Sequence, residues 1–118
     1  GQNEKAEVMF APAKVVSLDL GKNPIEVITG NNGQKLILCG GQEEKSGEIT
    51  QGASLRLMAH DFQSYEKQIQ CDSALTAFEV NKDTSIIWLA TQGGKIKKEV
   101  IQPKIYRIDL NSLVTTEI

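Results

Sequence analysis

A short phrase recurs three times along this chain: Ser17-Leu18-Asp19-Leu20, Ala59-His60-Asp61-Phe62 and Arg107-Ile108-Asp109-Leu110. Each copy closes a run of strand composition and leads into turn-prone residues, namely Gly21-Lys22-Asn23, Gln63-Ser64 and Asn111-Ser112. A recurring strand ending implies a recurring sheet, which confines the chain to an architecture that repeats one β unit. Setting Asn31 over Asn81 superposes Asn31-Asn32-Gly33-Gln34 and the apolar run after it on Asn81-Lys82-Asp83-Thr84 and its own apolar run. After a small slip, residues 57–62 fall over residues 105–110.

The unit can be read off its second copy, residues 72–118. Apolar strands are predicted at 75–80 and 86–90, then a long polar loop, a strand at 104–110, a turn and a last strand at 114–118. Four strands in about 45 residues is the size of one propeller blade. Residues 24–71 follow the same order, and residues 1–23 add N-terminal strands, with 13–20 the clearest. The expectation is one β domain over 1–118, all-β, made of two four-stranded antiparallel blade-like units. Because two blades cannot close a ring, the units would belong to a partial propeller or to one completed by oligomerising. A two-layer β-sandwich is the alternative, since short strands with regular turn signals also describe that fold. The best helical candidate, residues 64–70, is short and has Ile69 as its only aliphatic residue.

Ala74-Leu75-Thr76-Ala77-Phe78-Glu79-Val80 with Asn81-Lys82-Asp83, then Ile86-Ile87-Trp88-Leu89-Ala90-Thr91, then Ile105-Tyr106-Arg107-Ile108-Asp109-Leu110, resembles a WD40-type β-propeller blade. The resemblance implies that Asp19, Asp61 and Asp109 act as turn caps at strand ends, and that the chain scaffolds protein complexes. The chain departs from the family pattern in two ways. No Gly-His pair opens either unit, and the residue before each Asp is Leu18, His60 or Ile108 rather than Trp.

The predicted core is Val15, Val27, Leu36, Leu38, Leu55, Leu57, Phe78, Ile87, Leu89, Ile105 and Ile108. It is aliphatic because the chain holds only three Phe, two Tyr and one Trp. Trp88, among Ile86, Ile87 and Leu89, reads as core. Cys39 sits in an apolar run as a small hydrophobe, and a bridge to Cys71 would need the two strands to bring their Cα atoms roughly 5.5 Å apart. The net charge of -2 offers no basic face to nucleic acid or an anionic membrane. No apolar run approaches the roughly 20 residues that span a bilayer. The expectation is a soluble protein without cofactor or metal, its compartment either the cytoplasm or, with a signal removed, the exterior.

Two long loops hold equivalent places in the two units, from Gly40-Gly41 to Gly52 and from Gly93-Gly94 to Pro103. Glu48-Ile49-Thr50 and Glu99-Val100-Ile101 would continue strands, so each loop is expected to be an extended β-ribbon. Their charged residues, Glu43, Glu44, Lys45, Lys95, Lys97 and Lys98, are the candidate partner-binding positions. Glu43, Glu44 and Glu48 lack the spacing of a calcium loop. The lysines lack the glycine cradle and helix start of a phosphate site. His60 has no nucleophile to serve.

No catalytic constellation emerges. The leading expectation is a non-catalytic protein-interaction or scaffold module of β-propeller type with a protein partner. The alternative is an oligomeric ligand- or glycan-binding β domain, for which 5% aromatic residues is a thin supply of stacking platforms.

Overall fold

The computed structural model describes residues 21–118, so Asp19, Val15 and the strands expected before residue 21 lie outside the described residues. The protein is all-β. Its strands are β1 (Pro24–Thr29), β2 (Lys35–Cys39), β3 (Gln42–Glu43), β4 (Ile49–Gln51), β5 (Ser54–Met58), β6 (Tyr65–Gln70), β7 (Leu75–Asn81), β8 (Ile86–Thr91), β9 (Gly94–Ile96), β10 (Glu99–Ile101), β11 (Lys104–Asp109) and β12 (Thr115–Glu117). They form two four-stranded antiparallel sheets, ordered β1-β2-β5-β6 and β7-β8-β11-β12, and two hairpins, β3-β4 and β9-β10. Each hairpin is inserted between the second and third strands of its sheet.

The register explains which residues are buried. Side chains alternate across a strand, so neighbours in one cross-strand row share a face. In the first sheet, Ile28, Leu36 and Leu57 make one row, and Leu38, Leu55 and Ile69 the next. We call this the front. Leu36, Leu38 and Leu55 are fully buried there. In the second sheet the row Val80, Ile87, Ile108 and the row Phe78, Leu89, Tyr106 share the opposite face, the back. These two faces merge into one aliphatic cluster that Ala53, Cys71, Leu110 and Leu113 complete.

Front and back are matched by register. Both sheets carry an irregularity at the start of the first strand, between Pro24 and Glu26 and between Leu75 and Ala77. Counting from it, the row Glu26, Leu38, Leu55 corresponds to Ala77, Ala90, Ile105, and the core rows of the two sheets fall on opposite parities. The sheets therefore stack front on back, not on equivalent faces.

That stacking corrects part of the expected core. Val27 is 59% exposed and Ile105 48% exposed: Val27 lies on the edge strand β1, facing the back of the first sheet, and Ile105 on the front of the second. Trp88 shares the face of Ile105 and is 37% exposed, so it is not a core residue. Residues 65–70, inside the helical candidate, form β6, an edge strand with one uncovered side and mostly polar residues. No disulfide joins Cys39 and Cys71, and both thiols are buried.

The chain passes between the sheets at residues 71–74, where backbone bonds strap the crossing down. Cys71 N–H donates to the Ala53 carbonyl (2.8 Å), Ala53 N–H to Ser73 (2.9 Å) and Leu75 N–H to Gly40 (2.8 Å). Gly52 lies against the Cys71 carbonyl with no room for a Cβ. Buried Ser73 accepts the Gly93 N–H through its hydroxyl at 3.0 Å.

Candidate interaction surface

Hydrogen bonds join the two hairpins side by side. Lys95 N–H donates to the Gly47 carbonyl at 2.9 Å, which makes a parallel bridge between Glu48 and Lys95. Lys97 N–H donates to the Glu48 carboxylate at 3.0 Å, and the Gln92 amide donates to the Glu43 carboxylate. Gly94, at φ 146°, sits where a side chain would meet the Gly47 carbonyl at 2.7 Å and Ile49 at 2.9 Å. Glycine is what lets the ribbons touch.

Of the six loop residues singled out from sequence, Glu44, Lys45, Lys95, Lys97 and Lys98 are exposed and Glu43 is half-buried. Glu43 and Glu44 are committed to bonds within the chain, Glu43 across to Gln92 and Glu44 to the Thr50 hydroxyl at 2.9 Å. Glu48, which accepts the Lys97 N–H, is a further acidic tie between the hairpins, and position alone did not single it out. Lys97 and Lys98 form the tip of β9-β10, both in the left-handed region with φ 49° and 71°. Positive φ at both central positions is the type I′ two-residue hairpin turn, which is normally filled by Asn-Gly. Lysine pays for that conformation with a Cβ contact that glycine lacks, roughly 1 kcal/mol per residue. Around this tip Ile96 is 37% and Val100 65% exposed, so apolar surface flanks the two ammonium groups.

Asp61 and Asp109 both accept backbone N–H groups from their turns, Asp61 from Gln63 at 2.9 Å and Asp109 from Asn111 at 2.8 Å and Ser112 at 2.9 Å. The Ser112 and Asn111 amides hold the Asp109 carboxyl below the usual carboxylate range. The two carboxylates do not occupy one station. Asp109 N–H bonds the Val114 carbonyl, and the matching bond in the first sheet runs from Ala59 to Ser64. Ala59 therefore stands where Asp109 stands, and Asp61 lies farther into its turn.

A second polar cluster was not foreseen. Lys104 pairs with Asp72 on the crossover and lies 3.9 Å from Glu117. The Asp72 hydrogen bond raises the Lys104 pKa. Burial, and then the Asp72 charge, push the adjacent Cys71 thiol up to about 11, which keeps it protonated and unreactive. On the back of the first sheet, the Arg56 guanidinium lies over the Tyr65 ring at 5.3 Å. The Asp72 pair pins β11 to the crossover. Among the described residues no group of His, Cys, Asp and Glu is arranged to hold a metal ion.

No family model, curated protein or solved structure matches the chain.

Proposed function

We propose that the chain is a non-catalytic protein-interaction module of β-propeller type, two blade-like sheets whose paired hairpins present a basic tip to an acidic segment of a partner protein. What supports the blade reading is the shared strand order, the matched irregularity in the first strands and the front-on-back stacking. A sandwich of two like sheets would more simply pack equivalent faces. The observation that carries the binding reading is the Lys97-Lys98 turn. Two lysines occupy the backbone positions where Asn-Gly costs least, at the turn of the β9-β10 hairpin, next in sequence to exposed Ile96 and close to exposed Val100. Strain kept at an exposed charged tip is characteristic of a binding site.

The test is titration of a labelled acidic peptide, poly-glutamate with interspersed leucines, with the chain and with a Lys97→Asn/Lys98→Gly variant. Binding that saturates and weakens about tenfold or more in the variant supports the reading, since charge-assisted contacts at the tip are lost. Equal binding by both proteins, or none by either, refutes it. The variant should also unfold at higher urea, because its turn residues suit their φ values.

A further inference from the structure

The front of the second sheet is an uncovered apolar face. Its rows are Ala77, Ala90, Ile105 and Glu79, Trp88, Arg107. Ile118 continues the first row, its N–H donating to the Ile105 carbonyl at 2.9 Å. Ile105 is 48% and Ile118 70% exposed, and a shallow cleft of about 230 Å³ opens between Trp88, Ala90, Ala77 and Ile105. The equivalent face of the first sheet, with Leu38 and Leu55, is fully buried in the core.

We infer that this face docks on the same face of a second copy of the chain, about a two-fold axis that runs parallel to β8. The pattern across the strands carries the inference. Such an axis sets β7 of one copy over β11 of the other and β8 over β8. Glu79 then meets Arg107 of the partner subunit, and the reciprocal pair forms on the other side of the axis. In the neighbouring row, bulky Ile105 meets small Ala77, again twice. Trp88 faces its own copy on the axis, with Ala90 facing Ala90 below it. Charge and size are thus self-complementary in both rows, which an isologous contact requires. A two-fold axis across the strands would set Glu79 on Glu79 and Arg107 on Arg107 if it passed through that row, and Glu79 on Ala77 and Arg107 on Ile105 if it passed between the rows, so neither placement pairs opposite charges.

Head-to-tail stacking of copies, front on back, is disfavoured. The back of the first sheet would have to receive the front of the second, yet Ile37 and Arg56 at its centre are each only 7% exposed and have little surface left to bury. The proposal is independent of the hairpin tip, which lies on other residues.

The experiment is light scattering on a size-exclusion column over a wide range of chain concentration, with Trp88 emission followed in parallel, since it is the only tryptophan. The expected result is a monomer-to-dimer transition accompanied by a blue shift. Glu79→Arg and Arg107→Glu, each alone, should raise the dissociation constant about tenfold or more, because each puts like charges together twice. Both swaps in one chain should restore it to within about threefold, a coupling seen when two groups meet. All four positions in these rows that carry the argument are on the surface, so the variants remain folded, and urea midpoints check this. A monomer at every concentration, a dimer unmoved by the single swaps or not restored by the double swap, or growth beyond the dimer would each overturn the proposal. A mixed complex only with a different sheet protein would do the same.

Discussion

Leu55→Ala and Ile105→Ala remove the same three carbons from central strands of the two sheets, and sequence alone ranks both positions as core. The structure separates them. Leu55 has no exposed surface and lies between Leu38 and Ile69 in its row, while Ile105 is 48% exposed on the uncovered front. At about 0.8 kcal/mol per buried methylene, losing three carbons costs roughly 2.4 kcal/mol of transfer free energy at Leu55. The cavity left under two packed sheets brings the total to about 3 to 4 kcal/mol. Ile105 keeps about half of its surface in water and leaves no enclosed void, so its loss should cost roughly 1 kcal/mol. Ile105→Ala also loses the strand preference of a β-branched residue, which works against the predicted order, so a larger cost at Leu55 reports burial. Urea unfolding of dilute protein, with the slope m held in common, reads it directly. Costs within about 1 kcal/mol of each other, or a larger cost at Ile105, would refute the assignment of front and back.

Gly52→Ala should destabilise the chain by about 1 to 3 kcal/mol, since its Cβ would overlap the backbone carbonyl of Cys71 at the crossover; a neutral result in urea unfolding would place the crossover elsewhere. Stability should fall as pH rises from about 9 toward about 11, because the folded Cys71 thiol holds its proton up to about 11 while the unfolded thiol releases it near 9. Cys71→Ser should flatten that slope in urea titrations, leaving the smaller part due to Lys104 and Tyr106, whose pKa values are also raised. The Asp109 carboxyl is depressed by its turn amides, so its contribution is present above the unfolded carboxylate pKa and is lost as pH falls through the lower folded value. Asp109→Asn should be less stable than the parent at neutral pH and match it in strong acid.

Strand positions were legible where apolar runs meet turn residues, as in β2, β8 and β11, and the Gly-Gly pairs located both ribbons. What alternation reports is which residues share a face, not which face another sheet will cover. Trp88 and Ile105 were misplaced for that reason: each sits in a sound strand on the exposed front of the second sheet, while Val27 sits on the edge strand β1. Tyr65 to Gln70 reads as polar because an edge strand buries little, and its pairing with β5 comes from the partner strand. Of the candidate surface, the lysines were visible as charges on a loop. Their approach to Glu48 was not, because the parallel bridge between hairpins joins residues distant in the chain. The recurring Asp phrase marked two real turns but at different stations, since the slip between units shifts the turn while the ladder keeps its own register.

The front-on-back arrangement also bears on the order of events as the chain leaves the ribosome. Within each sheet, strands pair with the next strand along the chain or, at the inserted hairpin, with the one just beyond it, so the first sheet can form once Gln70 has emerged. Its front, with Leu36, Leu38 and Leu55, then waits in water for a back that has not yet been made. Until residues of β8 and β11 arrive, this nascent sheet is the sticky species, and it is at this stage, rather than after release, that the protein most needs protection from aggregation.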